Sequence, residues 1–182
     1  YNNVGNAYKN LHYYDSALYW LHRSLMINKE LNDTRGQLYN FATLAEVYVL
    51  QGKLDSANYY INKELSDARA APDGLYFYEE TFGMQVLGDI YLKKRQYNKA
   101  IENFEIAYQR SKEKGNSYDN VLVFALNGIY KAYEGAGNYK KAFEYLEEYQ
   151  AFQEQIHNDR VDKAAQVQLH YDNEEKKAEI EK

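Results

Sequence analysis

The sequence holds no cysteine and a single proline among 182 residues. Without thiols it can build neither a disulfide framework nor a thiolate metal site. One proline and ten glycines are too few for a turn-rich β architecture and suit a chain of helices. Long apolar runs are missing as well. The longest, Val121–Leu126, falls far short of the roughly 20 residues a membrane-spanning helix needs. Positive charge is in deficit, with 22 Lys and Arg against 27 Asp and Glu and a net charge of −5. That balance argues against a nucleic-acid binder, which needs clustered cations to neutralise phosphates. The basic runs Lys93-Lys94-Arg95 and Lys140-Lys141 fall at predicted turns and read as solvated ends.

Catalytic patterns are also wanting. His12, His22, His157 and His170 form no HxxxH or HExxH pair, so they read as surface or packing residues rather than metal ligands. Gly135-Ala136-Gly137 lies in a predicted turn and follows no strand, and there is no GxSxG elbow. The carboxylate pairs Glu79-Glu80, Glu147-Glu148 and Glu174-Glu175 are adjacent, so on a helix they point apart and suit solvation better than acid–base work. These residues predict no enzyme, no metal and no cofactor.

What the chain has in quantity is tyrosine, 21 residues of it. The mean hydropathy of −0.78 would suit disorder, but tyrosine scores as polar while burying a large ring, and disordered chains are poor in aromatics. Leu87–Ala107 shows how the rings are used. One amphipathic stretch carries Leu87, Gly88 and Tyr91, and a second carries Tyr97, Ala100, Phe104 and Ala107. The three-to-four spacing puts each set on one helical face. Gly88 and Ala100 are small where two helices must cross closely.

The pattern recurs as Val4-Gly5, Tyr8, Tyr14, Ala17, Leu21, Ser24, then as Leu44-Ala45, Tyr48, Leu54, Ala57, Ile61, Glu64. A last copy reads Ile129-Tyr130, Tyr133, Tyr139, Ala142, Leu146, Tyr149. The central alanines recur at intervals of 40, 43 and 42 residues, and tyrosine precedes alanine by nine in every copy. Gly52 and Gly135–Asn138 close turns within units, while Asn32–Thr34, Ala71–Gly74 and Gly115–Ser117 separate them. The units divide at about 1–33, 34–73, 74–116 and 117–156. Residues 157–182 lack Gly and Pro and continue a long last helix. Its first part is expected to pack over the last repeat as a cap. The remainder is expected to act as a connector helped by an i,i+4 pair, Asp172–Lys176. A helix pair with one apolar face must bury it on a neighbour, so the units should stack.

This order of aromatic, Leu-Gly pair, tyrosine, central alanine and second aromatic resembles the tetratricopeptide repeat (TPR) family, from Tyr1 to about Ile156. The intervals exceed the usual repeat of roughly 34 residues, which resembles the long-repeat members. Tyr130 replaces the small glycine, and Glu64 and Tyr149 replace the last alanine. The resemblance implies an all-α fold, a right-handed α-α superhelix of four helix–turn–helix repeats plus a long C-terminal helix. In that family the first helix of each unit lines a concave groove. Carried over by position, the lining is Asn2 and Asn6, then Tyr39, Ala42, Thr43 and Glu46. Phe82, Gln85, Val86 and Asp89 follow from unit three, and Phe124, Asn127 and Lys131 from unit four. Amides can bond an extended backbone and aromatics can supply apolar pockets. Tyr39, Phe82 and Phe124 have the alternative role of packing between units.

Function follows by the same resemblance: a non-catalytic module that binds a protein or peptide. The alternative is a structural scaffold or self-association domain, and a homodimer stays open. Gripping a peptide carboxylate is not expected, because Asn6 matches one clamp position while Asn2, Thr43, Phe82 and Val86 supply no cation at the others. Tyr171, Glu174, Lys176, Lys177 and Ile180 are similar to the connector of bacterial TPR-fused histidine kinases and helix-turn-helix regulators. That similarity implies the sensory part of a signal-transduction protein, periplasmic rather than cytoplasmic, with a transmembrane segment after Lys182. A sequence opening on Tyr1 without a leader pattern reads as a piece of a longer protein.

Overall fold

A computed structural model describes residues 1–72, 74–114 and 119–180, with side chains as far as Tyr171. Among these residues the chain is helical throughout, with no strand. The helices are α1 Asn2–Asn10, α2 Tyr14–Glu30, α3 Thr34–Leu50, α4 Leu54–Arg69, α5 Phe77–Lys93, α6 Tyr97–Lys114, α7 Asp119–Gly135 and α8 Tyr139–Ile180. None is long and apolar enough to cross a membrane.

The recurrent tyrosine fixes the hairpin turns through its carbonyl. Tyr8, Tyr48, Tyr91 and Tyr133 each accept from the amide five residues on, at 2.9 Å in all four cases. Such a bond, which closes a helix C-terminus, requires a left-handed residue in the turn. Gly52 (φ 74°) and Gly137 (φ 77°) supply it in two hairpins, but His12 (φ 63°) and Arg95 (φ 57°) stand at the equivalent positions of the others. Asp33 caps α3 by accepting from the Gly36 amide at 3.0 Å, and Asp15 and Asp55 lie in the first turns of α2 and α4, where an acid complements the helix dipole. The separator Gly115–Ser117, together with Asp73 and the side-chain pair Asp172–Lys176, lies outside the described residues.

Packing follows the small residues. The odd helices touch in series, α1 on α3, α3 on α5 and α5 on α7, and each even helix packs on its odd partner. The Phe104 ring of α6 lies so close to Gly88 of α5 and Gly128 of α7 that a Cβ added at either would stand 2.7 or 2.4 Å from it. One aromatic therefore joins its own hairpin to the next. At the positions of Gly88 and Ala107, repeat four carries Tyr130 and Tyr149, whose ring centroids lie 6.0 Å apart. Tyr48 stacks on Tyr60 and Tyr133 on Tyr145, at 5.6 and 5.7 Å. Tyr60 also touches both core clusters, the smaller around α2 and the larger from α3 to α8.

The end of the chain departs from expectation. The second helix of repeat four and the tail are one helix, α8, of 42 residues. His157 to Tyr171 are all exposed, so this segment does not cap the last repeat. Its apolar residues are too sparse to form a packing face. Val161, Val167, Leu169 and Tyr171 are between 52% and 70% exposed.

Candidate functional site

The inner row of odd helices encloses a cavity of about 310 Å³ lined from all four repeats. Asn6, Lys9 and Asn10 come from α1, Tyr39 and Glu46 from α3, Tyr78, Phe82 and Gln85 from α5, and Asn120, Val121 and Phe124 from α7. They share this side because they lie three, four or seven residues apart along their helices. Of the residues expected in the groove, Asn6, Tyr39, Glu46, Phe82, Gln85 and Phe124 come together. Lys9, Asn10, Tyr78, Asn120 and Val121 were not singled out from the sequence, although each lies three or four residues from an expected one.

The aromatics both pack and line. Tyr39 stacks on Phe82 across two repeats, with centroids 6.0 Å apart and planes 22° from parallel. Phe124 is 50% exposed and presents its face. The Asn6 amide nitrogen donates to the Tyr39 hydroxyl at 3.3 Å.

Charge is distributed unevenly beneath the rings. The Lys9 ammonium pairs with Glu46 at 2.5 Å. Gln85, 2% exposed, donates through Nε2 to the Asp89 carboxylate at 3.3 Å, while its Oε1 has no partner. Asn127 Oδ1, at the equivalent position of the next repeat, is likewise buried and unpartnered. Burial pushes the Asp89 carboxyl up to about 7; Glu46 adds to the rise, while the Gln85 bond, Lys131 and Lys93 oppose it. Asp89 and Lys131 thus continue the row begun by Asn6 and Glu46, beside the cavity rather than in its lining.

Two of the residues expected in the groove have partners within the protein. Asn2 is engaged by a neighbouring helix, its side-chain oxygen accepting from Asn40 Nδ2 at 3.3 Å, and Asn40 accepts in turn from Asn28 at 2.7 Å. Thr43 is 1% exposed and its hydroxyl donates to the Tyr39 carbonyl at 2.8 Å, a common arrangement for threonine within a helix. Ala42 and Val86 are buried too. Thr43, Ala42 and Val86 are closed off as placed, while Asn2 is half-buried with its side-chain oxygen engaged. Among the described residues no three His, Asp or Glu converge to hold a metal ion.

Stacked helical hairpins with a groove along the inner helices define an α-solenoid scaffold, a class that typically binds proteins and is not catalytic. Residues 80–155 match the tetratricopeptide repeat family model, so that part of the chain carries tetratricopeptide repeats. Its fold is similar to two crystal structures of nearly identical TPR-like repeats from a candidate kinesin light chain of Podosopora anserina. One has a TM-score of 0.58 at 17% identity, covering 85% of this chain and 73% of that one. The other has a TM-score of 0.55 at 18% identity, covering 84% and 72%. At such identities the likeness is one of fold. No curated protein sequence matches the chain.

Proposed function

We propose that the chain is a non-catalytic peptide- or protein-binding module whose ligand lies in the cavity of the inner row. The observation that carries this reading is that all four repeats contribute to one cavity, with the half-exposed Phe124 and the Tyr39–Phe82 stack available to apolar side chains. An extended segment laid across the odd helices would meet amides and ring faces alternately. In a selection of random peptides against the whole chain, binders should lose at least tenfold in affinity on Asn6→Ala with Phe124→Ala, while the thermal midpoint stays nearly constant. Binders indifferent to that double substitution would place the site elsewhere.

The second part of the proposal concerns output. A neighbouring cavity of about 320 Å³ shares Asn120 and Phe124 with the groove and is closed by Gln153, Ile156, His157 and Arg160 of α8. A ligand that moves Phe124 therefore acts on the base of the projecting helix. Placement as the sensory part of a bacterial signalling protein rests on the tail similarity alone. Spin labels on exposed sites of α2 and of α8 after Ile156 should change separation when a groove peptide binds; an unchanged distance would exclude transmission through α8. A self-association role is favoured by exposed apolar residues at both ends of the array, Tyr19 and Met26 on α2 and Val167 and Leu169 on α8 among them. Sedimentation across a concentration range separates it from a monomeric groove binder.

A further inference from the structure

The groove lining holds one ion pair, Lys9 with Glu46, and one buried acceptor without a partner, Gln85 Oε1. Gln85 lines the cavity and is held by its bond to Asp89, while its Oε1 is buried and unpartnered. A buried polar atom without a partner is costly, so a ligand that supplies a donor there gains more than an ordinary surface hydrogen bond. Lys9 is the one cation among the described residues lining the cavity, and it is matched by Glu46. Asp89, directly behind Gln85, has only Lys131 and Lys93 near it as opposing charges, and both influence it less than burial does. A carboxylate ligand would bring a second acceptor against Gln85 Oε1, with the Asp89 carboxyl behind it.

We propose that the groove selects an extended peptide segment carrying an arginine, whose guanidinium donates to Gln85 Oε1, with the Asp89 carboxyl behind that amide, beside the Tyr39–Phe82 stack. Arginine fits better than lysine for two reasons. Its planar fork offers five donors to several acceptors at once, and it stacks on aromatic faces while carrying less hydration than an ammonium. This inference rests on the groove being the binding site.

The test selects random peptides of about ten residues on the whole chain, keeps those whose binding is lost on Phe124→Ala, and resynthesises them with citrulline, a neutral isostere, for each arginine. Arginine should be enriched among the groove-dependent peptides. Asp89→Asn should weaken them roughly 10–100-fold, as expected for losing a charge-assisted contact, and should leave the citrulline forms unchanged. Groove-dependent peptides without arginine enrichment, or arginine peptides indifferent to Asp89→Asn, would overturn the arginine inference and leave the groove standing. Selection of no peptide, or only of peptides insensitive to Phe124→Ala, would overturn the groove itself.

Discussion

Glu64 replaces an alanine of the repeat pattern, and its consequences can be worked through. The side chain is fully buried and neither carboxyl oxygen has a hydrogen-bond partner. Burial, with Glu80 and Glu79 nearby, pushes its pKa from 4.5 up to about 9. The folded state therefore holds a proton that the unfolded chain releases above about 4.5. For a group whose folded pKa is raised, the stabilisation is complete below the unfolded value and is lost as pH climbs towards the folded one. At 1.36 kcal/mol per unit, the loss by pH 7 is about 3 kcal/mol, and it grows until about pH 9. Glu64→Gln keeps the volume without the charge, so its stability should lack this slope. Geometry supplies a second arm. A Cβ on Gly83 would stand 2.0 Å from Glu64 Oε2, but 3.0 Å from its next neighbour outside that residue, Leu65 Cδ2. Gly83→Ala alone must therefore displace the carboxyl and should destabilise the fold. In the Glu64→Ala background the same methyl enters the space vacated and brings the better helix former, worth about 1 kcal/mol. Urea unfolding followed by circular dichroism at pH 5, 7 and 9 reads both effects. Equal pH slopes for wild type and Glu64→Gln, or an unchanged cost of Gly83→Ala without Glu64, would refute the buried neutral carboxyl.

Three further outcomes are expected. His12→Gly and Arg95→Gly relieve left-handed residues at hairpin turns and should each raise stability by about 0.5–1 kcal/mol, read from the urea midpoint; equal loss at both would show that their side chains matter more than their backbone. Ala100, 0% exposed at the α5–α6 crossing, should tolerate leucine poorly, with Ala100→Leu costing on the order of 1–3 kcal/mol. Asp89 is raised to about 7 while Glu46 of α3, Lys131 of α7 and Lys93 and Gln85 of its own helix face it. Because a guanidinium favours the ionised carboxylate, affinity for arginine peptides should rise from pH 6 to pH 8 and that of citrulline peptides should stay level. A flat profile in titration calorimetry for the arginine peptides would remove Asp89 as their counter-ion.

The scaffold was legible because each requirement repeats. A small residue at the hairpin crossing and a turn after the first helix are demanded in every hairpin, so the nine-residue step from Tyr8, Tyr48, Tyr91 and Tyr133 to Ala17, Ala57, Ala100 and Ala142 exposes them four times over. Where one copy departs, compensation lies elsewhere in the chain. The two oversized residues Tyr130 and Tyr149 make sense only because they meet each other, and Gly128 only because Phe104 of the preceding repeat leans on it. No local pattern announces such pairs. The tail misled for a related reason. Its scattered apolar residues suggested a cap, but from Val161 to Tyr171 they stay exposed, whereas the first part of α8 packs through Ala142, Tyr145, Tyr149 and Phe152.

The groove was legible as a row of positions, not as chemistry. Position along a repeat says which way a side chain is aimed, and this brought Asn6, Glu46, Tyr39, Phe82, Gln85 and Phe124 towards the right side. It cannot say which of them remains available, because availability depends on neighbours that no repeat rule fixes. Asn2 is taken by Asn40, Thr43 by the backbone of its own helix and Glu46 by Lys9. Gln85, by contrast, is tied at one end to Asp89 and left open at the other. What a repeat groove recognises is thus set by the few polar atoms its own packing fails to satisfy. Here those atoms are acceptors, which makes a donor-rich cation the ligand chemistry that completes the site.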